Sequence, residues 1–283
     1  VQILLSSVAA NLTAAIAGLK SVTVEAEYGD SVVEGSHGTL AHHGSRSANP
    51  APCTFPNRLQ PEWREVEVIG LSHVDLDALG GVLAVLGTKP NYDDFWTLAA
   101  FVDTKGPHKL AQSGASEEDL ARLYAFWAWS EKNKLYAPRD GSVVSAEAWV
   151  DAATIVLWRL FLNDPELIEA GAAAQEAQLE LNRSSFRGIS DQGVIAREAE
   201  AFTNHLYLTP GGKVAKAVVS YNAKSKAVTI SLADPIPGVS CVTVAQELWG
   251  PEAGGHAGIA GGPRSGLPRE EMLRAIDAMN KLL

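Results

Sequence analysis

The stretch Ser72-His73-Val74-Asp75-Leu76-Asp77-Ala78-Leu79-Gly80-Gly81 follows directly on an apolar run at residues 66–71. The run reads as a short strand, and Leu79, Val82, Leu83 and Leu86 beyond it recur at helical spacing. Strand, polar loop, helix is the repeating unit of an α/β sheet, in which ligands gather outside the carboxyl ends of the strands. Alternation along an extended loop puts His73, Asp75 and Asp77 on one side. Two carboxylates and an imidazole with no thiolate suit Mn²⁺ or Mg²⁺ better than a structural Zn²⁺. The plainer account is that Asp77 caps the helix and Asp75 is solvated. The strand before the segment and Ala-Leu-Gly-Gly after it favour a metal site.

Working outward, residues 22–28 read as another strand. Residues 3–19 read as a buried helix rather than a leader, since no basic segment precedes them. Residues 98–102 read as a further short strand followed by a polar loop at 103–109. If the two strands are neighbours, Asp103 and His108 reach the same rim as Asp75 and Asp77. In Gly38-Thr39-Leu40-Ala41-His42-His43-Gly44-Ser45-Arg46, the adjacent histidines can supply metal ligands or an acid/base pair, with Arg46 available to a phosphate. Both segments also have a plain reading as turns or polar surface loops.

Helices dominate the middle. Ser116 with Asp119 forms a capping box, and Leu120, Leu123, Tyr124 and Trp127 follow on one face. Asn163-Asp164-Pro165 breaks the next helix, because a residue before proline avoids the helical region. A further helix is expected over 165–181. A linker near this point divides the chain into domains 1–165 and 166–283.

The last third changes character. Strands at 216–221 and 227–232 read as a hairpin, a helix spans 242–249, and Pro268 opens a terminal helix. Between them lies the glycine-rich loop 254–266. Its glycines let backbone N–H groups approach an anion closely, and His256 and Arg264 can complete a phosphate cradle around Gly254 and Gly255.

Composition sets the outer limits. A chain of 283 residues buries a sizeable core and has room for two domains. A net charge of −10 weighs against a grip on long nucleic acid but leaves room for a small anion held locally. No run approaches the roughly 18 apolar residues of a membrane span. Cys53 and Cys241 are too few and too far apart for a thiolate metal site or a disulfide-stapled fold, so a reducing cytoplasm is the expected compartment.

Gly254-Gly255-His256-x-x-Ile259-Ala260-Gly261 resembles the GGHxxAAG loop of the DHHA1 domain, with Ile259 in place of the usual alanine. His73 with Asp75-Leu76-Asp77-Ala78-Leu79-Gly80-Gly81 resembles the first motif of the DHH domain. The order of the two motifs also matches. The chain therefore resembles the DHH/DHHA1 phosphoesterase superfamily, as a divergent member without an Asp-His-His string. Asp103 and His108 look like a rearranged remnant of the later motifs.

The resemblance implies an α/β fold with an N-terminal DHH-like parallel-sheet domain, a smaller C-terminal DHHA1-like α/β domain, and a cleft between them. It implies hydrolysis of a small phosphorylated substrate (a nucleotide, short oligonucleotide or sugar phosphate) by a metal-activated water. One or two Mn²⁺ or Mg²⁺ ions would be held by Asp75, Asp77 and Asp103 with His73. His42 and His43 would replace the missing imidazoles, and His108 would join them in catalysis. Gly254, Gly255, His256, Arg264 and Arg46 would bind substrate. A homodimer is compatible with this reading. Two rivals are a metal-dependent hydrolase of a non-phosphate bond and a non-catalytic nucleotide-binding sensor.

Overall fold

The computed structural model describes residues 1–29, 31–57, 63, 65–200, 205–263 and 265–283. The chain is a mixed α/β protein in two compact units. Val1–Gly106 with Leu110–Ala174 form the first, and Gln175–Leu283 with Pro107–Lys109 form the second.

The first unit is built on β1 (Gln2–Leu5), β2 (Ser21–Val24), β3 (Glu27–Tyr28), β4 (Ser31–Val32), β5 (Gly38–Leu40), β6 (Val68–Leu71) and β7 (Val144–Ser145). Its main sheet has the order β5-β2-β6-β1-β7, parallel except for β7, while β3 and β4 form a separate small hairpin. Alternation sorts the two faces. Ile3, Leu5, Val22, Val24, Ile69 and Leu71 join the main core, whereas Val68 turns toward Leu12 and Ile16 of helix α1 (Ala9–Ile16). The main core also takes in residues of α2 (Leu76–Leu86), α3 (Asp93–Lys105), α4 (Glu117–Lys132) and α5 (Glu147–Phe161). The Ser116 hydroxyl accepts from the Asp119 N–H at 3.1 Å and donates to the Asp119 carboxylate at 2.8 Å, so Ser116 caps α4. The Asn163-Asp164-Pro165 break separates α5 from α6 (Pro165–Ser185), and the division between the units falls inside α6.

Three local expectations are corrected. Residues 98–102 are not a strand but the middle of α3, whose buried Phe95, Trp96, Leu98 and Ala99 fall at helical spacing. Asp93 and Asp94 favour that helix at its positive N-terminal end. Residues 3–19 are β1 and α1 rather than one helix. Ser6 interrupts them, its buried hydroxyl donating to the Gly141 carbonyl at 2.8 Å. The strand expected over 22–28 ends at Val24, because Glu25 takes φ +50°.

The second unit contains β8 (Phe186–Ile189), β9 (Val194–Glu198), β10 (Ala217–Asn222), β11 (Ala227–Leu232), β12 (Gly254–His256) and β13 (Ile259–Gly261) in the order β12-β13-β11-β10-β9-β8. Among the described residues of this sheet, only the β9–β10 pair is parallel. The β10–β11 hairpin matches the sequence reading, with Asn222 opposite Ala227. Helices α7 (Cys241–Trp249) and α8 (Glu270–Leu282) share a core with Ala217, Val219 and Tyr221 through Val244, Met272 and Met279. The front of the glycine-rich loop is an ordered hairpin at the sheet edge. Gly255 has φ +144°, and a Cβ there would lie 2.5 Å from Ala260 Cα, so the close pairing requires glycine. Among the described residues, no helix is long and apolar enough to cross a membrane.

Candidate metal centre

Three adjacent parallel strands deliver side chains to one place at their carboxyl ends. β2 hands on to Glu25, β5 to His42 and His43, and β6 runs through residues 72–75 into α2, whose first turn carries Asp77. Asp103 arrives from the last turn of α3.

His42 Nε2 lies 2.9 Å from Asp103 Oδ2, 3.2 Å from Asp77 Oδ2 and 3.6 Å from Glu25 Oε1. His43 Nε2 lies 2.7 Å from Glu25 Oε2 and 3.6 Å from Asp103 Oδ2. The ligand atoms of Glu25, His42 and His43 lie within 4.8 Å of one another, as do those of His42, Asp77 and Asp103. Glu25, His42 and Asp77 are buried, whereas His43 is partly exposed and leaves the cluster open on its side.

Both Glu25 carboxylate oxygens, His42 Nε2, Asp77 Oδ2 and Asp103 Oδ2 are buried without a hydrogen bond of good geometry. Buried polar atoms are nearly always bonded, so several aimed at one another call for a shared partner. A divalent cation meets that need. Carboxylates and imidazoles without sulfur offer oxygen and nitrogen donors to such a cation.

The local sequence explains how each donor is held. Glu25 sits in the left-handed region, which costs a non-glycine residue roughly 1–2 kcal/mol. Its N–H donates to the Leu40 carbonyl at 2.9 Å, and its carbonyl accepts from the Ser72 hydroxyl. These bonds tie it to the strands on either side. Asp77 Oδ1 accepts the Cys53 N–H at 2.9 Å, leaving Oδ2 to face the cluster. The Cys53 turn is in turn held by Lys89, whose buried ammonium donates to the Cys53 carbonyl at 2.7 Å.

Gly80 and Gly81 let α2 approach that turn. A Cβ on Gly80 would stand 2.3 Å from Cys53 Cβ, and one on Gly81 would stand 2.6 Å from Val24 Cγ1. The histidine pair is braced from behind. The N–H groups of His42 and His43 donate to the Glu27 carboxylate at 3.2 and 3.0 Å.

Burial by itself would lower the His42 pKa, but the carboxylates of Asp103, Asp77 and Glu25 outweigh it and raise the group to about 10. His43 is raised chiefly by the Glu25 carboxylate beside it. Burial pushes Glu25 up, against the pull of His43. The surrounding carboxylates thus favour a proton on each imidazole.

Four of the residues singled out from the sequence therefore come together: His42, His43, Asp77 and Asp103. His73 and Asp75 stand outside the two converging groups. Asp75 caps α2, accepting the Ala78 N–H at 2.8 Å, so the cap falls on Asp75 rather than Asp77. The other Asp75 oxygen lies 3.3 Å from His73 Nε2. Burial opposes the charge on His73, yet Asp75 raises its pKa to about 9. Arg46 Nη1 is 3.8 Å from Glu27 Oε1, on the side that braces the histidine backbone.

His108 is not in the cluster. It belongs to the second unit, buried against Tyr207 with ring centroids 4.6 Å apart, and burial lowers its pKa. His256 is exposed on the β12–β13 hairpin with Gly254 and Gly255, and Arg264 lies outside the described residues. Glu25 was missed by sequence reasoning. Its one signal is an acid set between Val24 and Ala26 in a run otherwise fit for burial. In comparisons with known proteins, the chain matches no family model and no curated protein.

Proposed function

We propose that this chain is a metal-dependent phosphoesterase of the DHH/DHHA1 type, acting on a small phosphorylated substrate. The observation that carries the proposal is the convergence of Glu25, His42, His43, Asp77 and Asp103 beyond three neighbouring parallel strands. His42, Asp77 and Asp103 would hold one Mn²⁺. Glu25 and His43 offer donors for a second, with Asp103, close to both imidazoles, as the shared carboxylate.

When bound, the metal would acidify a water and offset charge on the phosphoryl oxygens. The chain's own groups supply the positioning. Asp77 is fixed by the Cys53 N–H, and Glu25 by its backbone bonds to Leu40 and Ser72. His73, paired with Asp75 and partly exposed, would give a proton to the leaving oxygen. The acidic cluster alone would repel a phosphate, so substrate follows the cation. As the resemblance implies for its glycine motif, His256 would contact the substrate's phosphate.

The test is phosphate or nucleoside monophosphate release from nucleotides, short oligonucleotides and sugar phosphates, with and without Mn²⁺. Release that requires Mn²⁺ and is lost in Asp77→Asn supports the reading. A chain that binds Mn²⁺ yet cleaves only carboxylic esters or amides contradicts it.

A further inference from the structure

The first unit also carries an open surface cavity of about 280 Å³, lined by His73, Val74, Lys134, Tyr136, Ala137 and Trp149 among others. Its chemistry is uneven. Val74, Ala137 and the two aromatic rings make apolar wall, while Lys134 brings an ammonium and His73 an imidazole. Trp149 is a fixed surface: it is 8% exposed, its Nε1 donates to the Asn133 carbonyl at 2.9 Å, and its ring packs 5.7 Å from that of Trp129. Lys134 pairs with Glu131, but both side chains are well exposed, so an incoming anion can take the place of Glu131.

Ser72 links the rim of the cavity to the backbone of the acidic cluster. His73 Nδ1 is 3.0 Å from the Ser72 hydroxyl, which donates to the Glu25 carbonyl. A ligand beside His73 is therefore one short loop away from the cluster. Pockets for drug-sized ligands begin near 300 Å³, so a space of this size has room for one ring system.

We infer that this cavity receives the organic group of the ligand, a single flat ring carried by a phosphoryl or phosphonyl anion, with the ring against Trp149 and the anion facing His73 and Lys134. The inference rests on the phosphoesterase reading and narrows it. It places ring recognition in the first unit, on side chains separate from the donor cluster, and it excludes ligands whose phosphate carries only a small aliphatic group.

Calorimetric titration of the Mn²⁺-loaded chain with phenylphosphonate and methylphosphonate tests it, since neither probe is a phosphoester and they differ only in the ring. Phenylphosphonate is expected to bind about tenfold tighter, the scale of burying one ring against aromatic wall. Ala137→Phe, which fills the cavity, should abolish the preference while Mn²⁺ binding stays intact. Tyr136→Ala, at a side chain too exposed to matter to folding, should reduce it. Equal affinity for the two phosphonates in Mn²⁺-loaded protein, or a preference that survives Ala137→Phe, overturns the cavity inference alone. A chain that binds no Mn²⁺ sinks the phosphoesterase reading, and the cavity inference falls with it.

Discussion

His42 Nε2 lies 2.9 Å from Asp103 Oδ2, joining the end of β5 to the last turn of α3. The same nitrogen lies 3.2 Å from Asp77 Oδ2. One imidazole edge thus faces two carboxylates, an arrangement held either by a proton or by a metal ion.

That competition fixes the pH dependence. His42 has a folded pKa raised from 6.5 to about 10, so in metal-free protein its stabilisation is fully present below about 6.5 and lost as pH rises through about 10. Ligation requires the neutral imidazole. Mn²⁺ affinity should therefore climb roughly tenfold per pH unit across this window, with about one proton released per ion bound. Titrations at several pH values, in buffers of different ionisation enthalpy, measure both quantities. A flat affinity between pH 6.5 and 9 would remove His42 from the ligand set.

Gly80 is where packing and site meet. A methyl group there would press on Cys53 Cβ and Cα, at 2.3 and 2.7 Å. Gly80→Ala should cost about 1–3 kcal/mol, the usual penalty of overpacking, read from the denaturation midpoint. It should also weaken Mn²⁺ binding by displacing the Cys53 N–H from Asp77. Unchanged stability together with unchanged metal binding would show that the contact is easily relaxed.

The parts of this architecture that were legible in the sequence are those whose pattern depends on neighbours along the chain. Ser116 and Asp119 announce a cap, and the two runs around residues 222–227 announce a hairpin. The short apolar run at 98–102 fits a strand or a helix equally well by length and composition. The buried positions Phe95 and Trp96 ahead of it, which extend the helical stripe, decide the matter. The exchange of roles between Asp75 and Asp77 has a similar origin. Starting α2 at Leu76 makes Asp75 the cap and turns Asp77 inward, and nothing in the spacing of the two acids sets that start. Glu25 was hidden because its role depends on a backbone turn to φ +50° and on partners from β5 and β6, none of which leaves a mark nearby in sequence.

His256 tests the division of labour between substrate and metal. It stands on the second unit's glycine hairpin and is absent from both groups of convergent ligands. His256→Ala should leave Mn²⁺ content unchanged and lower kcat/KM by roughly tenfold to a few hundredfold, the worth of a charge-assisted hydrogen bond to phosphate. Unaltered kinetics would make the hairpin structural, and lost metal would put His256 among the ligands.

The most direct measurement is the Mn²⁺ affinity of the folded chain and of Asp103→Asn, with Asp75→Asn alongside. The wild-type chain should bind one or two ions per molecule. Asp103→Asn should lose more than the roughly 10–100-fold that follows removal of a group that merely orients a ligand. Asp75→Asn, altered at a helix cap outside the cluster, should lose far less. Wild-type protein that binds no transition metal, or Asp103→Asn protein that binds it as tightly as wild type, would contradict the assignment of this cluster as a metal centre.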